Sequence, residues 1–228
     1  MIEYLEAIDI ELFKVLNGFY CEFLDCLMWL ISGKLTWALM YATLLFVAFR
    51  KGWREGLVLL VLTAVTVTLC DQISSSLIKP AVERLRPSRT EELAAIVHTV
   101  NGYHGGRYGF VSSHAANTFG SSVLVALILR RRALAWTVML WAAVVSYSRI
   151  YLGVHFPGDV LCGAILGAVI GWGVYRLYLW CSGKAACKRF TAGCYTLGET
   201  RAVTVAIVAN TLLLVAVAAV QCIVCDMA

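Results

Sequence analysis

Residues 202–225 read AVTVAIVANTLLLVAVAAVQCIVC, an apolar run with no charge in it. A helix of that length reaches across a hydrocarbon core of about 30 Å. Inside a bilayer every backbone N–H and C=O must be satisfied within the chain, so only helices or closed barrels span it. The apolar residues here are continuous and do not alternate, which selects a helix over a barrel strand. Five further runs share this character, at about 35–49, 55–78, 114–130, 133–148 and 160–180, the first extending backward toward Leu30. The chain is 61% hydrophobic and 14% charged, where a soluble domain carries about 25% charge. The expected fold is all-α: a polytopic membrane helical bundle of about six transmembrane helices. Three prolines and no internal repeat or low-complexity tract leave residues 1–228 as a single expected domain.

Residues 1–31 differ. Leu5, Ile8, Leu12, Phe13, Leu16 and Phe19 recur at helical spacing, with Glu6, Asp9 and Glu11 mostly elsewhere. This predicts an N-terminal interfacial amphipathic helix. The alternative makes part of 12–31 a spanning segment. The acidic start, without a basic stretch, does not read as a cleaved signal peptide. The nine cysteines are scattered, and even Cys222 and Cys225 sit at the end of an apolar run. They read as small packing residues. Trp29, Trp37, Trp53, Trp141 and Trp180 read as interface anchors near span ends.

"RKGWR" (50–54), "RRR" (130–132) and Lys184, Lys188, Arg189 and Arg201 occupy alternate connections. The positive-inside rule places them in the cytoplasm. The connection 79–113 and the turn after Tyr147 then face outward. That outward connection is itself basic, with Lys79, Arg84, Arg86, Arg89 and Arg107. A cationic cluster there suits a fixed anionic ligand.

Three short stretches on that side carry chemistry: "KPAVERLRP" (79–87), "VSSHAANT" (111–118) and "SRIYLGVHFPGD" (148–159). Together they offer cations, hydroxyls at a helix start, two histidines and a carboxylate. Phosphoryl transfer needs this inventory. Arg and Lys donors stabilise charge on the phosphorus-bound oxygens, and a helix N-terminus near Ser112 and Ser113 favours an anion. One histidine can attack while the other protonates the leaving oxygen. Asp159, four residues after His155, can accept the attacking ring's N–H and free its other nitrogen.

The order K-x6-R-P, S-x-H, S-R-x5-H-x3-D resembles the three-part signature of the type 2 phosphatidic acid phosphatase superfamily, and the chain is similar to its short bacterial integral-membrane members. The resemblance implies His155 as nucleophile through a phosphohistidine, Asp159 as the residue that orients it, and His114 as general acid. It implies phosphate binding by Lys79, Arg86, Ser112 and Arg149, with the Ser113 backbone N–H assisting. It implies no metal and no cofactor. Where the family usually has P-S-G-H, this chain has Val111, Ser112, Ser113 and His114, which puts Ser113's role in question.

His98 and His104 match no motif position and read as loop residues. Arg84, Arg89 and Arg107 read as rim charges or solvated loop arginines. Asp71, inside the second span, is either a helix–helix hydrogen-bonding group or part of a cavity wall. The expected partners are a membrane lipid phosphate and the bilayer, with no nucleic acid. The expected location is the bacterial cytoplasmic (inner) membrane, with the site on the periplasmic face. Undecaprenyl diphosphate and a lipid A phosphate stand equally as substrate, with phosphatidylglycerol phosphate and phosphatidic acid as alternatives. A non-catalytic anionic-lipid transporter or binder is the reading from another class.

Overall fold

The computed structural model describes residues 2–93, 95–189 and 195–226, with side chains over 3–93, 95–181 and 195–224. Lys184, Cys187, Lys188, Arg189, Cys194 and Cys225 lie outside the described side chains. The helices are α1 (Ile2–Gly18), α2 (Glu22–Ser32), α3 (Ala38–Arg50), α4 (Trp53–Asp71), α5 (Lys79–Val82), α6 (Ser113–Leu129), α7 (Arg132–Tyr151), α8 (Pro157–Arg189) and α9 (Leu197–Asp226). A single bridge, Leu85 to Tyr108, is the only β pairing among the described residues.

Among the described residues, four helices are long and apolar enough to cross a membrane: Trp53–Val82, Arg132–Tyr151, Pro157–Cys181 and Leu197–Val224. The chain is an integral membrane protein. The expected runs at 35–49 and 114–130 form shorter apolar helices, Leu35–Arg50 and Ser113–Leu129.

The expected single N-terminal helix is two, α1 and α2, meeting at 114°. In α1, Asp9, Phe13 and Asn17 recur every four residues and face the protein. Asn17 Nδ2 donates to the carbonyls of Ile150 and Tyr151 at 3.2 and 2.8 Å. Phe13 packs edge-on against Phe156 at 5.4 Å. Leu5, Ile8, Leu12 and Val15 point away and are exposed.

Helices α2 and α3 run together along α9. Cys26 and Trp29 lie beside Val220, Asn210 donates to the Thr36 carbonyl at 2.8 Å, and Lys51 pairs with Glu199 at 3.5 Å. This path is broken at residues 33–37, where carbonyls at the end of α2 need new donors. Thr36 Oγ1 supplies one to Leu30 O at 2.8 Å and Trp37 Nε1 another to Ile31 O at 3.0 Å. Trp37 is therefore buried, 2% exposed, and stacks edge-on with buried Trp141. Neither is an interface anchor, a correction that follows from their place inside the bundle. Trp53 and Trp180 are 65% and 81% exposed, as anchors would be.

Between apolar helices in lipid there is no hydrophobic drive to associate, so close approach of small residues carries the packing. Gly163, Gly167 and Gly171, one per turn on α8, lie against α6. A Cβ on Gly163 would stand 2.5 Å from the Ser112 carbonyl, and one on Gly167 or Gly171 would strike the backbone of Ala116 or Gly120. Cys70, fully buried on α4, fills the space beside Gly120. This seam fixes the height of α6, and hence of His114, relative to Asp159 on α8.

The cationic connections gather at one end. Arg130 reaches Tyr175, Arg131 reaches the Tyr195 carbonyl, and Lys51 reaches Glu199. Lys79, Arg86, Ser112 and His155 lie at the other.

Candidate functional site

At the end of α4 the chain passes through a π-helical stretch, Gln72–Ile78, before α5 begins at Lys79. Such turns are often found at functional sites. Here it brings Ser74 and Ser75 to the start of α6. Ser113 Oγ lies 2.8 Å from Ser74 Oγ, 2.9 Å from Ser75 Oγ and 2.5 Å from Lys79 Nζ. The Ser113 hydroxyl thus holds the lysine.

Ser112 is the N-cap of α6, its hydroxyl accepting from Ala115 N at 3.4 Å. It is fully buried. Its side chain is taken up by the helix and does not line the cavity below.

Helix α7 ends in a tight turn at Gly153, whose φ is +71°. A Cβ there would also meet the His98 carbonyl at 2.6 Å. Pro157 then starts α8 with its fixed φ and missing N–H. Between them stands His155, 2% exposed. Asp159, in the first turn of α8, reaches back to Phe156 N at 3.0 Å, half of a capping box. The same oxygen lies 3.4 Å from His155 Nδ1. On the opposite ring edge, His155 Nε2 is 3.1 Å from Arg86 Nη1, which also donates to Val154 O at 2.9 Å. Burial, then the charges of Arg86 and Arg149, hold the His155 imidazole well below the ordinary histidine range. With Asp159 facing Nδ1, Nε2 turns its lone pair toward the Arg86 guanidinium.

Arg149 donates to Ser32 Oγ and, at 3.1 Å, to Tyr103 OH. The Nε atoms of Arg86 and Arg149 are buried without a hydrogen-bond partner among the described residues. Two guanidinium groups with unused donors beside one imidazole make a receptor for a tetrahedral anion.

A cavity of about 500 Å³ runs from this point into the bundle. Lys79, Arg86, Ser113, His114, Arg149 and His155 line its upper part. Met40, Leu44, Val67, Val125 and Trp141 line the lower. Asp71 is on its wall, which settles the open reading of that residue in favour of the cavity.

Several contributors escaped the sequence reading. Arg84 is not a solvated rim charge: it bridges Asp159 Oδ1 and Asp9 Oδ2, both at 2.8 Å, over the Phe156 ring. Asp9 also accepts from Gly158 N at 2.6 Å. The signal for Asp9 was the Asp9–Phe13–Asn17 stripe, masked by the apolar face of the same helix. Ser32, Lys34 and Tyr103 reach the cavity from the broken span and the outer loop, and no local pattern announces them. His98 is a loop brace, pairing with Asp25 at 2.7 Å and stacking on Tyr20. His104 is an exposed loop residue.

The PAP2 superfamily model matches residues 55–182. A protein of Bacteroides thetaiotaomicron named lipid A 4'-phosphatase is 42% identical over 77% of this chain and 79% of its own length. One of the same name from Porphyromonas gingivalis is 36% identical over 91% and 89%. An undecaprenyl-diphosphatase of Sulfolobus acidocaldarius is 29% identical over 72% and 75%. Among solved structures, the PAP2-type phosphatidylglycerolphosphate phosphatase of Bacillus subtilis shares the fold, with a TM-score of 0.57 at 22% identity, over 77% of this chain and 86% of that one. Aquifex aeolicus LpxE does so at 0.51 and 24%, over 73% and 94%. With its family model covering more than half the sequence and these relatives aligned across most of it, the chain belongs to the PAP2 superfamily.

Proposed function

We propose that this membrane phosphatase removes phosphate from a lipid A-type saccharide lipid through a phosphohistidine on His155. The observation that carries the reaction is the placing of His155: Asp159 on one ring nitrogen, Arg86 on the other, and spare Arg86 and Arg149 donors around the attacking edge. Lys79, Arg86, Arg149 and the N–H groups opening α6 bind the phosphoryl oxygens. His155 Nε2 attacks phosphorus, the P–O bond to the alcohol breaks, and His114 gives that oxygen its proton. Water, deprotonated by His114, then attacks the phosphohistidine, and inorganic phosphate leaves with its P–N bond broken. Asp159 stabilises the positive ring between the two steps. The polyanion's charge is met by side-chain cations, and the reading includes no metal.

The choice of lipid is supported by the two relatives named lipid A 4'-phosphatase, which align over most of this chain at 42% and 36% identity. The undecaprenyl-diphosphatase aligns at 29%. The cavity's apolar lower part offers an apolar surface to acyl chains. Six crossings by α2–α3, α4–α5, α6, α7, α8 and α9, with α1 lying in the outer interface, complete the reading. They form a single domain in the inner membrane with the site on the periplasmic side.

The test is phosphate release by the purified protein from lipid A, undecaprenyl diphosphate, phosphatidylglycerol phosphate and phosphatidic acid, with His155→Ala as control. Lipid A is expected to have the highest kcat/KM. A higher value for undecaprenyl diphosphate overturns the substrate.

A further inference from the structure

Below the cationic cluster the cavity changes character. His114 and Asn117, one turn apart, share one face of α6, so Asn117 lies about 4.5 Å further into the bundle along the axis. Its Oδ1 is buried and accepts no hydrogen bond from the described residues. Asp71 on α4 lines the same cavity, on the order of 10 Å below Lys79 along the chain's helical path. No hydrogen bond or ion pair engages its carboxylate among the described residues.

A carboxylate and a buried amide oxygen in a cavity meant for lipid are costly when unmatched. What fills the space must supply their partners. The phosphate cannot, because an ionised phosphate has only acceptors and repels Asp71. The partner is therefore a hydrogen-bond donor on the alcohol side of the scissile bond, the side that His114 protonates. A polyprenyl chain has no such donor next to its phosphates, the glyceryl esters of phosphatidic acid have none, and phosphatidylglycerol phosphate has a single hydroxyl for two acceptors. An acylated amino sugar has hydroxyl and amide N–H groups within a ring's width of its phosphate.

We propose that Asp71 and Asn117 are specificity residues that accept hydrogen bonds from the hydroxyl and amide N–H groups of a saccharide leaving group. This rests on the phosphate site of the preceding subsection and adds the chemistry by which that site chooses its alcohol. A ligand without donors leaves both acceptors unmatched, which makes the selection sharper.

The experiment measures kcat/KM of the full-length protein in detergent for lipid A and for phosphatidic acid, in wild type, Asn117→Leu, Asp71→Leu and Asp71→Asn. Either leucine variant is expected to lower the lipid A to phosphatidic acid ratio by about tenfold or more, the effect of losing one or two hydrogen bonds to an unmatched polar group. Asp71→Asn keeps an acceptor oxygen and is expected to hold the ratio closer to wild type than Asp71→Leu. Turnover of phosphatidic acid reports folding in each variant. Equal losses on both lipids, or no loss on either, overturn the assignment while the substrate reading stands. A wild-type protein that releases no phosphate from lipid A overturns the substrate reading and this inference with it.

Discussion

Lys79 Nζ donates to Ser113 Oγ at 2.5 Å, and two serines of the π-helical stretch, Ser74 and Ser75, hold the same oxygen. The lysine of the first motif is thus positioned by the second. Ser113→Ala leaves the lysine without its anchor in a cavity that also contains Asp71. We expect kcat/KM to fall about tenfold, the scale of one hydrogen bond to a charged group. Ser113→Thr, which keeps the hydroxyl, is expected to restore most of it. Equal losses for alanine and threonine would show that the hydroxyl does not position Lys79.

His155 should carry the phosphoryl group. Acid-labile, base-stable phosphate is expected on wild-type protein quenched during turnover and absent from His155→Ala. Burial and the neighbouring Arg86 and Arg149 charges lower the ring's proton affinity. A lowered folded-state value means the nucleophile stays neutral as pH falls and is lost only when the ring protonates. The acid limb of kcat/KM attributable to His155 should therefore lie below the ordinary histidine value of about 6.5. A limb at or above that value would contradict the electrostatic account.

Arg84 ties α1 to the turn that carries His155 through Asp9 and Asp159. Asp159 is fully buried, so Arg84→Ala strands a charge. Removing one member of a buried pair costs about 3–5 kcal/mol. Arg84 itself is 19% exposed, so we expect about 2 kcal/mol, read as a lower Tm in detergent. Asp9→Asn keeps an acceptor and should cost less. If Arg84→Ala melts with wild type, the bridge adds no stability.

Gly167 lies on the backbone of Ala116, its added Cβ coming within 2.9 Å of Ala116 Cα. Gly167→Val must push α6 from α8. Overpacking costs about 1–3 kcal/mol, and the displacement separates His114 from His155. Thermal unfolding should move down, and activity should fall even in the fraction that remains folded. Unchanged activity would show that the seam does not set the distance between the two histidines.

Sidedness is open to thiol labelling. In a background cleared of native cysteines, Glu91→Cys should react with an impermeant reagent on intact cells and Arg131→Cys should not. The reverse pattern would turn the site toward the cytoplasm and its substrates toward inner-leaflet lipids.

The apolar runs and the motif residues could be read directly because each is a local pattern. A span is a continuous stretch long enough for the core, and His155 and Asp159 are neighbours on one turn. The break at residues 33–37 was not legible, because its cause is the capping of α2 by Thr36 and Trp37 and their fit against Asn210 on α9. Tryptophans at 37 and 141 looked like anchors because composition near a span end does not say which side of a helix faces lipid. Arg84 looked solvated because its partners, Asp9 and Asp159, are each 75 residues away.

By itself, the order of residues determined that this chain is helical and membrane-embedded, and it singled out the three stretches proposed to carry its phosphate chemistry. The bilayer leaves so few ways to satisfy a backbone that hydrophobic length nearly dictates the element. Tertiary structure alone decided how those stretches meet: the glycine seam that sets α6 against α8, the serine cluster that holds Lys79, the salt bridges that bring α1 to Asp159, and the acceptors left facing the cavity. These depend on distances between residues far apart in the chain, where side-chain fit and charge pairing, and not hydrophobicity, choose the partner.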